Sequence, residues 1–205
     1  MSTSCCSPPP PAVDPRFRRV LWIALAVNVL MLVVEAAASW SSGSVSLLAD
    51  AVDFFGDAAN YALSLMVLSM AVHIRSKAAL VKAACMAAFG VFVLGRAAWA
   101  MRSGMPPEPF TMGVVAVAAL VANLGVSLLL WRHRSGDANM RSAWICSRND
   151  AIGNVAVGLA ALGVFGTGSA WPDLLVAALM AALAITGAIS VMRHASIELR
   201  GSPAR

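Results

Sequence analysis

Residues 43–60 read GSVSLLADAVDFFGDAAN, an apolar stretch that carries a regular series of acidic and amide side chains. With 100° of rotation per residue in an α-helix, Asp50, Asp53, Asp57, Asn60 and the following Ser64 fall within an arc of about 80°. One face of this helix is therefore polar and the remainder is apolar. Such a helix fits the interior of a membrane-embedded bundle, where its polar face can turn away from lipid.

The composition of the chain also indicates a membrane protein. Of its 205 residues, 60% are hydrophobic and only 12% are charged, and the mean hydropathy is +0.77. There is too little polar surface here to coat a soluble globule, which argues against a soluble enzyme. The net charge of +5 and the pI near 9.6 do not indicate nucleic-acid binding, because the Lys and Arg residues cluster at the ends of apolar runs.

Six apolar runs predict six membrane-spanning helices joined by short polar loops. We place these helices at about 17–40, 44–72, 78–103, 110–132, 139–166 and 171–194. The predicted organisation is a disordered, Pro-rich tail over 1–16, an all-α transmembrane bundle over 17–195 and a short C-terminal tail over 196–205, with no soluble C-terminal domain.

The distribution of basic residues predicts the orientation of the bundle. Twelve Lys and Arg residues lie on the side of the two tails and of the second and fourth loops, whereas only Arg96 and Arg102 lie on the other side. The excess of positive charge marks the cytoplasmic side, so both termini are expected in the cytoplasm. We therefore expect a multi-pass protein of a bacterial inner membrane.

Half of the acidic residues lie inside predicted membrane helices. Five of the ten Asp and Glu residues do so: Glu35, Asp50, Asp53, Asp57 and Asp150. A charge at the bilayer centre costs about 2.5–3.5 kcal/mol even on the most lenient scale, so such residues are candidates for function. Amides and a thiol accompany them: Asn28 lies about 20° around the first helix from Glu35, and Cys146, Asp150 and Asn154 recur every four residues on the fifth helix.

Four of these side chains predict a metal site. Asp53 and Asp57 lie at a depth in the membrane similar to that of Cys146 and Asp150, which enter from the opposite side. Three carboxylates and a thiolate can form a tetrahedral set that suits Zn²⁺ or Cd²⁺. Without metal, four such groups cannot all stay ionised at close range, so we expect them to take up protons. A site that exchanges metal for protons and opens to either face in turn is an antiporter.

The same residues resemble the signatures of a known family. GSVSLLADAVDFFGDAAN is similar to the second-helix signature of the cation diffusion facilitators, and WICSRNDAIGNVAV, residues 144–157, to their fifth-helix signature. The resemblance implies six membrane helices with cytoplasmic termini, export of divalent metal from the cytosol against protons, and a homodimer. By motif position, it implies that the transported ion is held by Asp53, Asp57, Cys146 and Asp150. Asn28 and Glu35 also resemble the Asn and Glu of the family's first helix.

Three departures from the family pattern are expected. Cys146 stands where the family commonly has His, and a thiolate there favours soft ions such as Cd²⁺. We also expect no soluble metal-sensing domain after the sixth helix. The loop between the fourth and fifth helices has only His133 where the family has a His-rich stretch. The other polar residues of the helices are expected to support the ligands or to pass protons: Asp50, Glu35, Asn28, Asn60 and Asn154.

Two functions of other classes stay open. An intramembrane aspartyl protease needs two embedded Asp residues that share a proton, and Gly56-Asp57 is faintly similar to the Gly-Asp of such enzymes. Asp53 and Asp57 on one helical turn are, however, unlike a dyad formed across two helices. The second alternative is a scaffold that transports nothing. We expect no catalytic residues and no permanent cofactor, with the lipid bilayer, the transported metal and a second copy as partners and no nucleic acid. Whether Cys5 and Cys6 capture metal stays open.

Overall fold

The computed structural model describes residues 15–66, 72–132 and 138–201, which form six α-helices. The helices are α1 (Pro15–Ser42), α2 (Val45–Met66), α3 (Val72–Ser103), α4 (Pro109–Trp131), α5 (Ala138–Thr167) and α6 (Trp171–Gly201). The predicted all-α, six-helix bundle is confirmed. The largest difference is at α6, which continues to Gly201 and so takes in most of the segment predicted as a C-terminal tail. Most of the predicted N-terminal tail, with Cys5 and Cys6, lies outside the described residues.

Five of the six helices are long and apolar enough to cross a membrane, as judged by length and composition. The exception is α2, whose 22 residues include Asp50, Asp53 and Asp57. Large apolar side chains cover the outside of the bundle: Trp40, Phe110 and Phe165 are 90%, 77% and 79% exposed. In a membrane these side chains face lipid rather than water. The chain is therefore a multi-pass integral membrane protein.

The helices associate in close pairs, α1 with α2, α4 with α5 and α3 with α6. Helix α2 lies centrally, because it also contacts α3, α5 and α6. The largest buried apolar cluster joins residues of all six helices and includes Leu47, Met112, Val157 and Val164. A smaller cluster around Phe17 and Leu130 packs the other end of α1 against α4. This packing places the polar face of α2 inside the bundle.

Three short loops lie at one end of the bundle and connect α1 to α2, α3 to α4 and α5 to α6. Each begins with a glycine in the left-handed backbone region, at φ +74° in Gly43, +65° in Gly104 and +62° in Gly168. The N–H of each glycine donates to the carbonyl four residues earlier, at 2.9, 3.2 and 2.8 Å, and so ends the preceding helix. The loops therefore turn sharply and keep consecutive helices side by side.

Candidate metal centre

The polar face of α2 meets an acidic residue of α1. Glu35 is fully buried and Asp50 is 2% exposed, and their carboxyl groups are close enough to share a hydrogen bond. Neither oxygen of Glu35, nor Oδ2 of Asp50, has a donor among the described residues. Two ionised carboxylates offer only acceptors, so a hydrogen bond between them requires a proton. The contact between α1 and α2 thus buries two acidic side chains beside each other.

A second carboxyl pair joins α2 to α5. Asp57 is 8% exposed, and its carboxyl group is close enough to that of Asp150 for a hydrogen bond. Asp53 is half-buried on the same face of α2, and its charge acts on Asp150. Asp57 and Asp150, two of the four predicted ligands, therefore face each other from the two helices that the sequence indicated, with Asp53 on the same face of α2.

The fourth predicted ligand, Cys146, is on α5 one turn before Asp150, and its side chain lies outside the described residues. Among the side chains that the structure describes, no group of three or more His, Cys, Asp and Glu has the geometry of a metal site. The complete set of Asp53, Asp57, Cys146 and Asp150 consequently stays a prediction. The described arrangement is one of paired carboxyl groups.

A tyrosine forms a hydrogen bond with the carboxyl pair of Asp57 and Asp150. The Tyr61 hydroxyl donates to Oδ2 of Asp57 at 3.4 Å, and Tyr61 is 2% exposed. Sequence reasoning overlooked this residue, although it is the single tyrosine of the chain and lies one helical turn after Asp57. Because the hydroxyl both donates and accepts, it can hold the Asp57 carboxyl group in one orientation in either protonation state.

Buried amides extend the polar interior beyond the carboxyl groups. Asn28 is fully buried, and its Nδ2 donates to the Ala24 carbonyl at 2.8 Å. Within the described part of the chain, the side-chain oxygens of Asn28 and Asn123 and both amide atoms of Asn154 lack partners. Buried amides are costly in an apolar core, so these residues make the interior of the bundle polar beyond the carboxyl groups. Asn60 is half-buried on the polar face of α2.

Sequence reasoning also missed the contact between α4 and α5 at Asn123. This residue is 1% exposed, and its backbone carbonyl accepts a hydrogen bond from the Ser147 hydroxyl at 3.0 Å. Ser147 follows Cys146 directly, so the contact fixes the backbone next to the predicted thiolate ligand. An Asn in the otherwise apolar middle of α4 was the available signal.

Comparison with known proteins identifies what the chain is similar to. A family described as the cation efflux transmembrane domain matches residues 21–199. The zinc transporter ZitB of Yersinia pestis is 28% identical over 208 residues, which cover 93% of this chain and 65% of that protein. The metal cation efflux system protein CzcD of Cupriavidus metallidurans is 28% identical over 174 residues, covering 79% and 55% of the two chains.

A third relative is the cadmium, cobalt and zinc/H(+)-K(+) antiporter of Bacillus subtilis, 25% identical over 210 residues that cover 91% of this chain and 65% of the relative. The chain thus spans between 55% and 65% of the length of these relatives, which is less than two thirds. The similarity covers the six-helix bundle, where the acidic pairs lie.

Proposed function

Because the chain belongs to the cation efflux family, the cation diffusion facilitators that its sequence resembles, we propose that it exports a divalent transition metal in exchange for protons. The observation that carries this proposal is the facing of Asp57 on α2 and Asp150 on α5 inside a membrane-spanning bundle. Two carboxyl groups in lipid-excluded space can be neutralised either by protons or by a divalent cation, and the two states exclude each other.

The proposed ligands are Asp53, Asp57, Cys146 and Asp150. Oxygen and sulfur ligands in a tetrahedral site suit Zn²⁺ and Cd²⁺, whereas Mg²⁺ and Ca²⁺ prefer oxygen alone and higher coordination numbers. The names of the relatives support the choice of metals: one is a zinc transporter and another is a cadmium, cobalt and zinc antiporter. The metal is cargo, and no permanent cofactor is needed.

Alternating access supplies the coupling. The site opens to the cytoplasm, binds metal and releases protons, and then opens to the other face, where protons displace the metal. The carboxyl pair of Glu35 and Asp50, with Asn28, Asn60 and Asn154 near the polar interior, is proposed to support the ligands or to carry protons. The protein acts in the bacterial plasma membrane with cytoplasmic termini, and as a homodimer.

Different observations bear on the two alternatives, an intramembrane protease and a scaffold without transport. The facing of Asp57 and Asp150 across two helices is a geometry that a protease dyad could also have, so geometry alone does not separate the two functions. The family match favours transport over proteolysis. A scaffold without transport would have no use for ion-binding groups, and the cost of burying four carboxyl groups argues against it.

Uptake into inverted membrane vesicles tests the proposal. Vesicles with wild-type protein should accumulate Zn²⁺ and Cd²⁺ when a pH gradient is imposed, and metal entry should be accompanied by proton exit. Asp57→Ala and Asp150→Ala should insert normally and transport nothing. Uptake that follows membrane potential but ignores pH would indicate a uniporter, and no uptake by the wild type would indicate a scaffold.

A further inference from the structure

An acidic residue outside the metal centre holds two helices together. Asp173 lies in the first turn of α6 and is 1% exposed. Its Oδ1 accepts hydrogen bonds from the hydroxyls of Ser44 and Ser46, both at 2.6 Å, and from the Ser46 N–H at 3.0 Å. Its Oδ2 accepts from the Val45 N–H at 2.8 Å. Both carboxylate oxygens are therefore satisfied by the first residues of α2.

These hydrogen bonds cap α2 from another helix. The first N–H groups of a helix have no partner within it, and the partial positive charge there attracts a carboxylate. Helix α2 has no acidic residue in its own first turn. Its local cap is Ser44, whose hydroxyl accepts from the Leu47 N–H at 3.1 Å, and Asp173 adds the missing negative charge.

The residue before Asp173 packs on α5. A Cβ atom added to Gly163 of α5 would lie 2.9 Å from Cβ of Pro172, closer than real Cβ contacts, and 3.1 Å from its Cγ, closer than most of them. The start of α6 can therefore approach α5 this closely because residue 163 is glycine. Two consecutive residues of α6 thus contact the two helices that carry the proposed ligands.

We propose that Pro172 and Asp173 form a brace that sets the position of α2 relative to α5 and thereby places Asp57 opposite Asp150. Each carboxylate is 13 residues from its contact with the brace, counted from Ser44 to Asp57 and from Asp150 to Gly163. At 1.5 Å per residue both lie about 20 Å below it, so the brace joins the two helices at equal height. Asp173 is a positioning residue, since it acts on the metal centre through α2.

This inference rests on the proposed function, and its test separates the two. Asp173→Asn keeps the size of the side chain but loses the charge and one acceptor. The amides of Val45 and Ser46 should exchange hydrogen faster in this variant, and Zn²⁺ affinity measured by calorimetry on the purified full chain should fall by about 10-fold. Asp173→Glu keeps the charge and should recover part of the affinity.

Glu108→Gln is the matched control. The Glu108 carboxylate caps α4 by accepting from the N–H groups of Phe110 and Thr111, at 2.9 and 2.6 Å, and α4 carries none of the proposed ligands. This variant should bind Zn²⁺ like the wild type. Gly163→Ala adds a methyl group on α5 that would collide with Pro172. This variant should lower Zn²⁺ affinity while leaving the hydrogen bonds of Asp173 in place.

If Asp173→Asn does not fold, Ser46→Ala provides a milder test, because it removes one of the hydroxyl groups that donate to Asp173. Faster amide exchange with unchanged Zn²⁺ affinity in Asp173→Asn or Ser46→Ala would overturn the brace, because the contact would then be structural only. An equal loss of affinity in Glu108→Gln would overturn it as well. A wild type that binds neither Zn²⁺ nor Cd²⁺ would instead refute the proposed function, and the brace with it.

Discussion

Replacing Asp150 by Asn should turn a carboxyl pair that needs a proton into an amide–carboxylate pair that does not. The amide N–H of Asn can donate to the Asp57 carboxylate, with which Asp150 is in hydrogen-bonding range. Two unit charges about 4 Å apart repel by about 4 kcal/mol at an effective dielectric constant of about 20. The metal-free wild type must either bear this repulsion or take up a proton to avoid it, and the variant needs neither, so it should be at least as stable as the wild type.

The same substitution should weaken metal binding strongly. At the same distance and dielectric constant, the substitution removes about 8 kcal/mol of attraction to a divalent cation and about 4 kcal/mol of repulsion from the Asp57 carboxylate. The net loss of about 4 kcal/mol corresponds to roughly three factors of ten in affinity. Zn²⁺ affinity should therefore fall by about 10³-fold. One fewer proton is displaced on binding, so the slope of log affinity against pH should decrease by about one.

Calorimetric titration with Zn²⁺ measures both quantities. Wild type, Asp150→Asn and Glu108→Gln are compared in buffers of different ionisation enthalpy, which count the released protons, and thermal unfolding without metal reports stability. Glu108→Gln removes an exposed carboxylate far from the pair and should match the wild type in affinity and in proton release. Wild-type affinity with an unchanged pH slope in Asp150→Asn would refute the assignment of this carboxyl pair to the metal site.

Substitutions at Cys146, Tyr61 and Glu108 also have defined outcomes. Cys146→His should keep Zn²⁺ transport and lower the Cd²⁺/Zn²⁺ ratio of transport rates. Cys146→Ala should lower the transport rates of both ions, that of Cd²⁺ more. An unchanged ratio in both variants would mean that the sulfur is not a ligand. Tyr61→Phe removes the hydrogen bond to Asp57 and should cost about 1 kcal/mol in chemical denaturation; no loss would show that the bond contributes nothing. Hydrogen bonds from the side chain and backbone of Thr111 lower the pKa of Glu108 below its ordinary 4.5. Its cap therefore stabilises α4 fully above that value and is lost as the pH falls through the lowered pKa, so unfolding of Glu108→Gln should be less sensitive to acid.

The helices and the polar face of α2 were predictable from sequence because lipid leaves few alternatives. In a bilayer each spanning segment must satisfy its own backbone, so long apolar runs become helices and polar residues turn inward. The helix ends are harder to predict. The apolar pattern of α6 ends near 194, yet the helix continues to Gly201, because backbone hydrogen bonding does not need apolar side chains.

The partners of individual side chains could not be predicted in the same way. The sequence placed Glu35 and Asp50 among the functional candidates, but their pairing depends on how α1 packs against α2. Asp173 is not predicted as a functional residue from the sequence, because an acidic residue in the first turn of a helix is explained by the helix dipole alone. Its contact with Ser44 becomes evident only when the start of α6 is seen beside the start of α2.

The facing carboxyl groups explain how the proposed exchange avoids moving metal without protons, or protons without metal. An isolated charge inside the bundle is costly, and two facing charges without a counterion are costlier still. A proton shared by Asp57 and Asp150, or a divalent cation between them, relieves most of this cost. The empty, fully ionised site is therefore the least stable of the three states. In the proposed mechanism the site switches between the two sides of the membrane only while it holds metal or protons. Because the empty site is disfavoured, metal moves in one direction only when protons move in the other.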